Sequence, residues 1–253
     1  MILRGPSGLG DSVYMYPITR EFMRRGEDVT LLSDFPDIFT PLKCRVEPYR
    51  QQNYDLLTHY FTKRLDKRTS QYQDLLVMAG LDRDLPMQMD TVYKPEKLVK
   101  KKLCLVRTPC KPRRGNPLVA CLQPAYPTFQ MIIDDYQDEC SFVQIGRADG
   151  EQPYQFTGLT ADLSAETDVI LILKLLVCSD ITLAQVGYMI PFCEALDKKL
   201  FCIFSRAGLQ SKFIEASGVT PEKVFDKPKT TTWAVDDDPA AEMIEKFGEL
   251  LNA

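Results

Sequence analysis

The chain has 253 residues, 45% of them hydrophobic and 26% charged, with a net charge of −4. That balance excludes a disordered or fibrous polymer and disfavours an indiscriminate nucleic-acid binder, while the length suits one large α/β domain or two small ones. No apolar stretch of signal-peptide length opens the chain at Met1–Gly5, and its most apolar helical run, Val169–Cys178, contains Lys174 and is too short to cross a bilayer, so a cytoplasmic protein without a transmembrane segment is expected.

In chain order, Ile2-Leu3-Arg4 reads as a short strand that runs into the turn Gly5-Pro6-Ser7-Gly8-Leu9-Gly10. From Asp11 to Arg25 the apolar residues Val13, Met15, Tyr16, Ile18, Phe22 and Met23 recur at helical spacing, and Gly26 closes the helix. Val29–Leu32 is the next strand, completing a βαβ unit and implying a parallel sheet. Further strands are expected at Cys44–Val46 and Tyr54–Thr58, and a helix from Ser70 to Ala79 that stops at Gly80. The proline- and lysine-rich stretch Leu85–Lys102 has no periodicity and reads as a linker.

The pattern then restarts. Strands are expected at Leu103–Arg107, Phe142–Ile145, Ile181–Leu183 and Leu200–Phe204. Helices are expected at Thr128–Gln137, Asp168–Cys178, Tyr188–Leu196 and Pro239–Leu251, with Asp236-Asp237-Asp238 as a solvated lead into the last one. The fold class is therefore α/β, with two Rossmann-like, doubly wound domains facing a cleft. The expected division is 1–95, 96–236 and a C-terminal helix over 237–253 that could pack back on the N-terminal domain.

Eight cysteines and one histidine, His59, leave little room for metal or nucleophile chemistry. Cys104, Cys121, Cys178, Cys193 and Cys202 sit in apolar surroundings, where a free thiol behaves as a small hydrophobe, and no Cys-x-x-Cys occurs. A serine or cysteine nucleophile lacks a histidine partner, since His59 stands alone, followed by Tyr60 and Phe61.

Three constellations lie at strand ends. In Ser7-Gly8-Leu9-Gly10-Asp11, glycines let the backbone approach a ligand, although neither a full dinucleotide fingerprint nor a P-loop is present. Two readings of Asp11 stay open: an N-cap, or a carboxylate that takes a proton from an attacking hydroxyl. The second is Arg107-Thr108-Pro109-Cys110-Lys111-Pro112-Arg113-Arg114, whose cations suit a diphosphate. It continues a basic stretch, Lys94 to Arg114, that reads either as a solvated linker or as a phosphate-facing surface. The third is the strand-turn-helix Leu183–Met189, a binding element with no acid or base in its turn.

Together these segments resemble the heptosyltransferases of glycosyltransferase family 9, which have the two-domain GT-B fold. The resemblance rests on Ile2–Arg4 with Gly5–Asp11, Tyr16-Pro17 and Val29–Leu32, then on Tyr72-Gln73-Asp74-Leu75-Leu76-Val77-Met78-Ala79-Gly80-Leu81. In the second half it rests on Phe142–Gly146, Thr157-Gly158-Leu159-Thr160 and the block Ser179–Phe204. Where the family carries Asn-Asp-Ser-Gly-Pro-x-His, this chain has Gln185-Val186-Gly187-Tyr188-Met189-Ile190-Pro191, so side-chain contacts at Val186 and Pro191 do not transfer.

The resemblance implies an inverting glycosyltransferase with Asp11 as general base. The loop Ser7, Gly8, Leu9 and Gly10 would lie on the acceptor side. A nucleotide-diphosphate sugar would be the co-substrate, held by Thr108, Lys111, Arg113, Gly146, Gln185, Val186, Gly187 and Tyr188. Thr108, Lys111 and Arg113 would neutralise the leaving diphosphate, so that no metal or other cofactor is needed. Three readings follow: transfer to a glycan such as lipopolysaccharide; transfer to a hydroxymethylated pyrimidine in DNA, as in virus-encoded enzymes, with Lys94–Arg114 tracking phosphates; and a non-catalytic nucleotide-sugar binding protein, motivated by Val186 and Pro191.

Overall fold

The computed structural model describes residues 1–6, 8–49, 54–57, 70–107, 110–111, 126–146, 152–165, 168–206 and 230–253, with the backbone alone at 57, 110, 111, 152 and 153. The first lobe contains β1 (Ile2–Arg4), α1 (Leu9–Arg24), β2 (Thr30–Leu32), a 3₁₀ helix (Pro36–Leu42), β3 (Arg45–Glu47), β4 (Leu56–Leu57) and α2 (Gln71–Met78). Its strands are parallel in the order β3-β2-β1-β4.

Both helices of this lobe start and stop for local reasons. Gly26 at φ +88° ends α1, with Gly26 N–H donating to Met23 O and Glu27 N–H to Phe22 O, which satisfies two orphan carbonyls. Ser70 caps α2: its Oγ accepts from Gln73 N–H at 3.1 Å while Gln73 Oε1 accepts from Ser70 N–H at 3.2 Å, a reciprocal capping box.

Between α2 and β5 the chain crosses to the second lobe without helix or strand. Met89 N–H donates to Ala195 O at 3.0 Å, and Asp90 Oδ2 accepts from Tyr16 Oη at 3.2 Å and from Arg20 at 3.4 Å. The crossing is thus tied to both lobes. Burial, reinforced by the Asp90 charge, pushes the Tyr16 phenol up, which keeps it a donor.

The second lobe comprises β5 (Lys102–Arg107), β6 (Cys110–Lys111), α3 (Tyr126–Tyr136), β7 (Cys140–Ile145), β8 (Gln152–Pro153), β9 (Ala161–Leu163), α4 (Val169–Cys178), β10 (Ile181–Gln185), α5 (Met189–Ala195), β11 (Leu200–Phe204), β12 (Thr231–Val235) and α6 (Ala240–Asn252). Its six-stranded parallel sheet runs β12-β11-β10-β5-β7-β9, so strand order reverses between β5 and β10. The dipeptides β6 and β8 form a small antiparallel pair.

Alternation along the strands splits the core in two. Leu103, Leu105, Ala184, Leu200 and Cys202 face α4 and α5 in a cluster that also takes in Leu3, Val13, Ile18 and Leu31 of the first lobe. Cys104, Val106, Leu183, Phe201 and Ile203 face α3 and α6 on the other side. One apolar core therefore runs through both lobes along the α1–α5 contact.

Three expectations are corrected. Among the described residues the last helix packs on the second lobe, not the first: Met243, Phe247, Leu250 and Leu251 of α6 are buried with Phe129, Ile132 and Ile133 of α3, because its apolar stripe matches the outer face of the second sheet. Asp236–Asp238 are not merely a solvated lead: Asp236 accepts from Arg206 N–H, Asp237 pairs with the Arg206 guanidinium at 2.9 Å, and Asp238 accepts from Val235 N–H. A strand at Thr231–Val235, absent from the sequence reading, completes the sheet.

Candidate functional site

Open parallel sheets bind ligands outside the carboxyl ends of their strands, where strand order reverses. In the first lobe that point lies between β1 and β4, beside the Gly5–Gly10 turn; in the second it lies between β5 and β10, at Arg107 and Gln185. The two are brought together by contact between the first turns of α1 and α5. A Cβ on Gly10 would stand 3.0 Å from Tyr188 Cα and 3.1 Å from Pro191 Cγ, so glycine is what allows this approach. Pro191 thus serves as a packing residue.

Asp11 is not the N-cap of α1; Gly8 is, because the helix begins two residues earlier than its apolar periodicity suggests. Asp11 stands at N3, half-buried, and its Oδ2 accepts from Gly8 N–H at 2.9 Å. The turn is held from beneath: Ser12 Oγ donates to Gly8 O at 3.2 Å and lies 3.2 Å from Ser33 Oγ, just beyond β2. Leu9 is 4% exposed and places its side chain in the core, so it offers the acceptor side only its backbone. Ser7, Thr108, Arg113 and His59 lie outside the described residues, and of Lys111 the backbone alone is described, in β6.

On the second lobe, Gly146 ends β7 pressed against the backbone of Ser164, so its missing side chain serves packing. Gln185 ends β10 with its Oε1 buried and without a hydrogen-bond partner among the described residues. Val186, exposed Gly187 and Tyr188 form the turn into α5. Arg107 opens the cationic constellation of the sequence reading but was not among the donor-binding residues assigned from it. It is 6% exposed, in register with Ala184 on β10 and Ile145 on β7, and its Cζ lies 5.3 Å from the Tyr188 ring centroid. A charged residue closing an otherwise apolar strand was the available signal.

Among the described residues the basic stretch does not form one surface. Lys94–Lys102 lie at or before the amino end of β5 and Arg107 at its carboxyl end, five residue steps further on, roughly 16 Å of rise. At the amino edge the lysines neutralise helix C-termini: Lys101 Nζ donates to Gln137 O just past α3, Lys102 Nζ to Leu251 O of α6, and Lys198 Nζ to Val177 O of α4. The division follows from strand geometry, which sends residues adjacent in sequence to opposite ends of a sheet.

No group of three His, Cys, Asp or Glu residues placed to hold a metal occurs among the described residues. Burial pushes the thiol of Cys193 up to about 12 and that of Cys140 to about 11, and raises Cys104 and Cys202 too, so all four stay protonated near neutral pH. No helix of the described residues is long and apolar enough to cross a membrane.

No protein-family model and no curated protein sequence matches the chain. Solved structures do. Similarity to the Escherichia coli ADP-heptose lipopolysaccharide heptosyltransferase II has a TM-score of 0.68 at 11% identity, covering 99% of this chain and 98% of that one. A glycosyl transferase family 9 structure from Veillonella parvula has a TM-score of 0.61 at 10% identity, covering 99% and 97%. An iron-containing dodecameric glycosyltransferase, TibC of enterotoxigenic E. coli, has a TM-score of 0.66 at 10% identity; 96% of this chain is covered, and it spans 64% of that protein's length. The two facing α/β lobes thus have the GT-B fold, in the form seen in family 9.

Proposed function

We propose that the chain is an inverting glycosyltransferase that moves a sugar from a nucleotide-diphosphate donor to an acceptor hydroxyl. The observation that carries this reading is the meeting of two parallel-sheet switch points across the α1–α5 contact, in a fold shared along nearly its whole length with a heptosyltransferase. The acceptor side is assigned to residues 1–95, with the loop around Ser7, Gly8, Leu9 and Gly10, and the donor side to 96–236.

Asp11 takes the acceptor hydroxyl's proton as that oxygen attacks the anomeric carbon. The bond to the diphosphate oxygen breaks on the opposite face, giving inversion. The nucleoside diphosphate leaves toward the carboxyl ends of β5 and β10, where Thr108, Lys111 and Arg113 neutralise its charge and Gly146 and Gln185–Tyr188 border it. Asp11 accepts the Gly8 N–H bond at one oxygen, which fixes the carboxylate on the turn. An ADP-linked sugar is the first donor to test, because the heptosyltransferase II it resembles is an ADP-heptose enzyme.

The division of the basic stretch favours a saccharide acceptor over a DNA base, since its amino-edge lysines lie at the sheet end remote from Asp11. The test is Asp11→Asn in a transfer assay with an ADP-sugar and glycan acceptors, hydroxymethylated DNA being run in parallel. Turnover is expected to fall at least 100-fold with donor binding and folding retained. Equal turnover by both proteins removes Asp11 from the reaction, and binding without turnover by the wild type leaves a binding protein.

A further inference from the structure

The residues assigned above to the diphosphate were chosen by sequence position; the geometry points to a different anchor, Arg107. We propose that Arg107 is the principal cation for the donor's diphosphate and that Tyr188 is its positioning residue. The inference rests on the donor-site reading.

Arg107 occupies the last position of β5, hydrogen-bonded in register between β7 and β10, so its backbone belongs to the rigid centre of the sheet. A group carried by a strand is held more closely than one on a loop. It also stands where strand order reverses, the ligand position of an open α/β sheet. Arginine cannot shed its charge, so the position, 6% exposed, keeps a fixed cation at the strand end. A planar guanidinium offers paired donors that match two phosphate oxygens, which a point-charged lysine does not.

Tyr188 gives that group its orientation. Its ring lies 5.3 Å from Arg107 Cζ and is itself fixed edge-on against Phe192 of α5. The same residue abuts Gly10 of α1, so the arginine's position is tied to the turn that carries Asp11. Cation and aromatic brace therefore meet at one strand end, complementary to a phosphorylated ligand.

The test uses full-length protein and four variants, Arg107→Gln, Arg107→Lys, Tyr188→Phe and Tyr188→Leu. Binding of ADP, adenosine and inorganic pyrophosphate is measured by calorimetry after each fold is checked by circular dichroism. Arg107→Gln is expected to weaken ADP and pyrophosphate about 10- to 100-fold, the range for a charge-assisted hydrogen bond, and adenosine by less than about twofold. Arg107→Lys, which keeps the charge but not the fork, is expected to recover only part of that loss. Tyr188→Phe should bind as wild type and Tyr188→Leu several-fold more weakly, because the ring and not the hydroxyl does the positioning. Equal loss for ADP and adenosine, or a Tyr188→Phe variant as weak as Tyr188→Leu, overturns the inference. Pyrophosphate binding that depends on Arg107 in a wild type blind to nucleoside diphosphates would support the anion site and refute the donor reading. Binding of neither would refute both.

Discussion

Gly10 lies where α1 of the first lobe meets α5 of the second, and widening its side chain has a calculable effect. A methyl group there meets Tyr188 Cα at 3.0 Å, Pro191 Cγ at 3.1 Å and Tyr188 Cβ at 3.3 Å. Ordinary carbon contacts begin near about 3.5 Å, so the shortfall is roughly 0.2–0.5 Å, and the nearest atom is backbone that cannot rotate away. Overpacking of this kind costs about 1–3 kcal/mol, offset in Gly10→Ala by up to about 1 kcal/mol of gained helix propensity. At roughly 2–4 °C per kcal/mol for a chain near this size, Gly10→Ala should lower the unfolding midpoint by about 2–4 °C and Gly10→Val by about 6–12 °C. Adding Pro191→Ala to Gly10→Ala removes one of the three close contacts and should give a non-additive recovery of about 0.5–1 kcal/mol. Thermal melts of the wild type, Gly10→Ala, Gly10→Val, Pro191→Ala and the double variant measure this. A Gly10→Val protein that melts with the wild type would show that α1 and α5 do not touch at this residue.

Other perturbations separate framework from chemistry. Glu21 is held at about 2, below its usual 4.5, first by the Arg24 hydrogen bond and then by that of Arg25. Its contribution is thus complete above pH about 4.5 and lost as pH falls toward about 2, so Glu21→Gln should lower the melting temperature at pH 7 and match wild type near pH 2. Ser70→Ala removes the acceptor for Gln73 N–H and should cost about 1 kcal/mol in urea titrations, with an unchanged denaturant slope. Lys102→Met removes the donor to Leu251 O and Asn252 Oδ1; it should lower stability by roughly 0.5–1 kcal/mol while leaving nucleotide affinity unchanged, and a tenfold loss of ADP affinity would contradict the assignment of that lysine to the α6 terminus.

The sequence conveyed the alternation of strands and helices because long apolar runs such as Leu200–Phe204 and capped helices such as that after Ser70 are dictated locally. It missed β9 and β12 because three residues of Ala-Asp-Leu, and a strand of Thr-Thr-Trp-Ala-Val beside an aspartate run, lack a decisive period; they become strands only because a neighbour offers a free edge. An amphipathic C-terminal helix announces that one face is buried, but its partner was fixed by the second sheet's outer face.

At the site, the glycine turn and Asp11 were legible as chemistry, while the capping bond from Gly8 depends on where the helix starts. Arg107 was legible as one of several cations, but its burial was not, because that is a property of the sheet's centre and of Tyr188, 81 positions further along the chain. The basic stretch illustrates the converse: neighbours in sequence were parted by a strand.

A crystal structure with bound ADP would bear most directly on whether the facing strand edges form a donor site. The diphosphate is expected at the carboxyl ends of β5 and β10, within hydrogen-bond reach of Arg107 and across from Asp11. Ordered nucleotide anywhere else, such as the surface hollow lined by Tyr126, Gln130, Met131 and Asp134 on α3, with that edge unchanged, would contradict it.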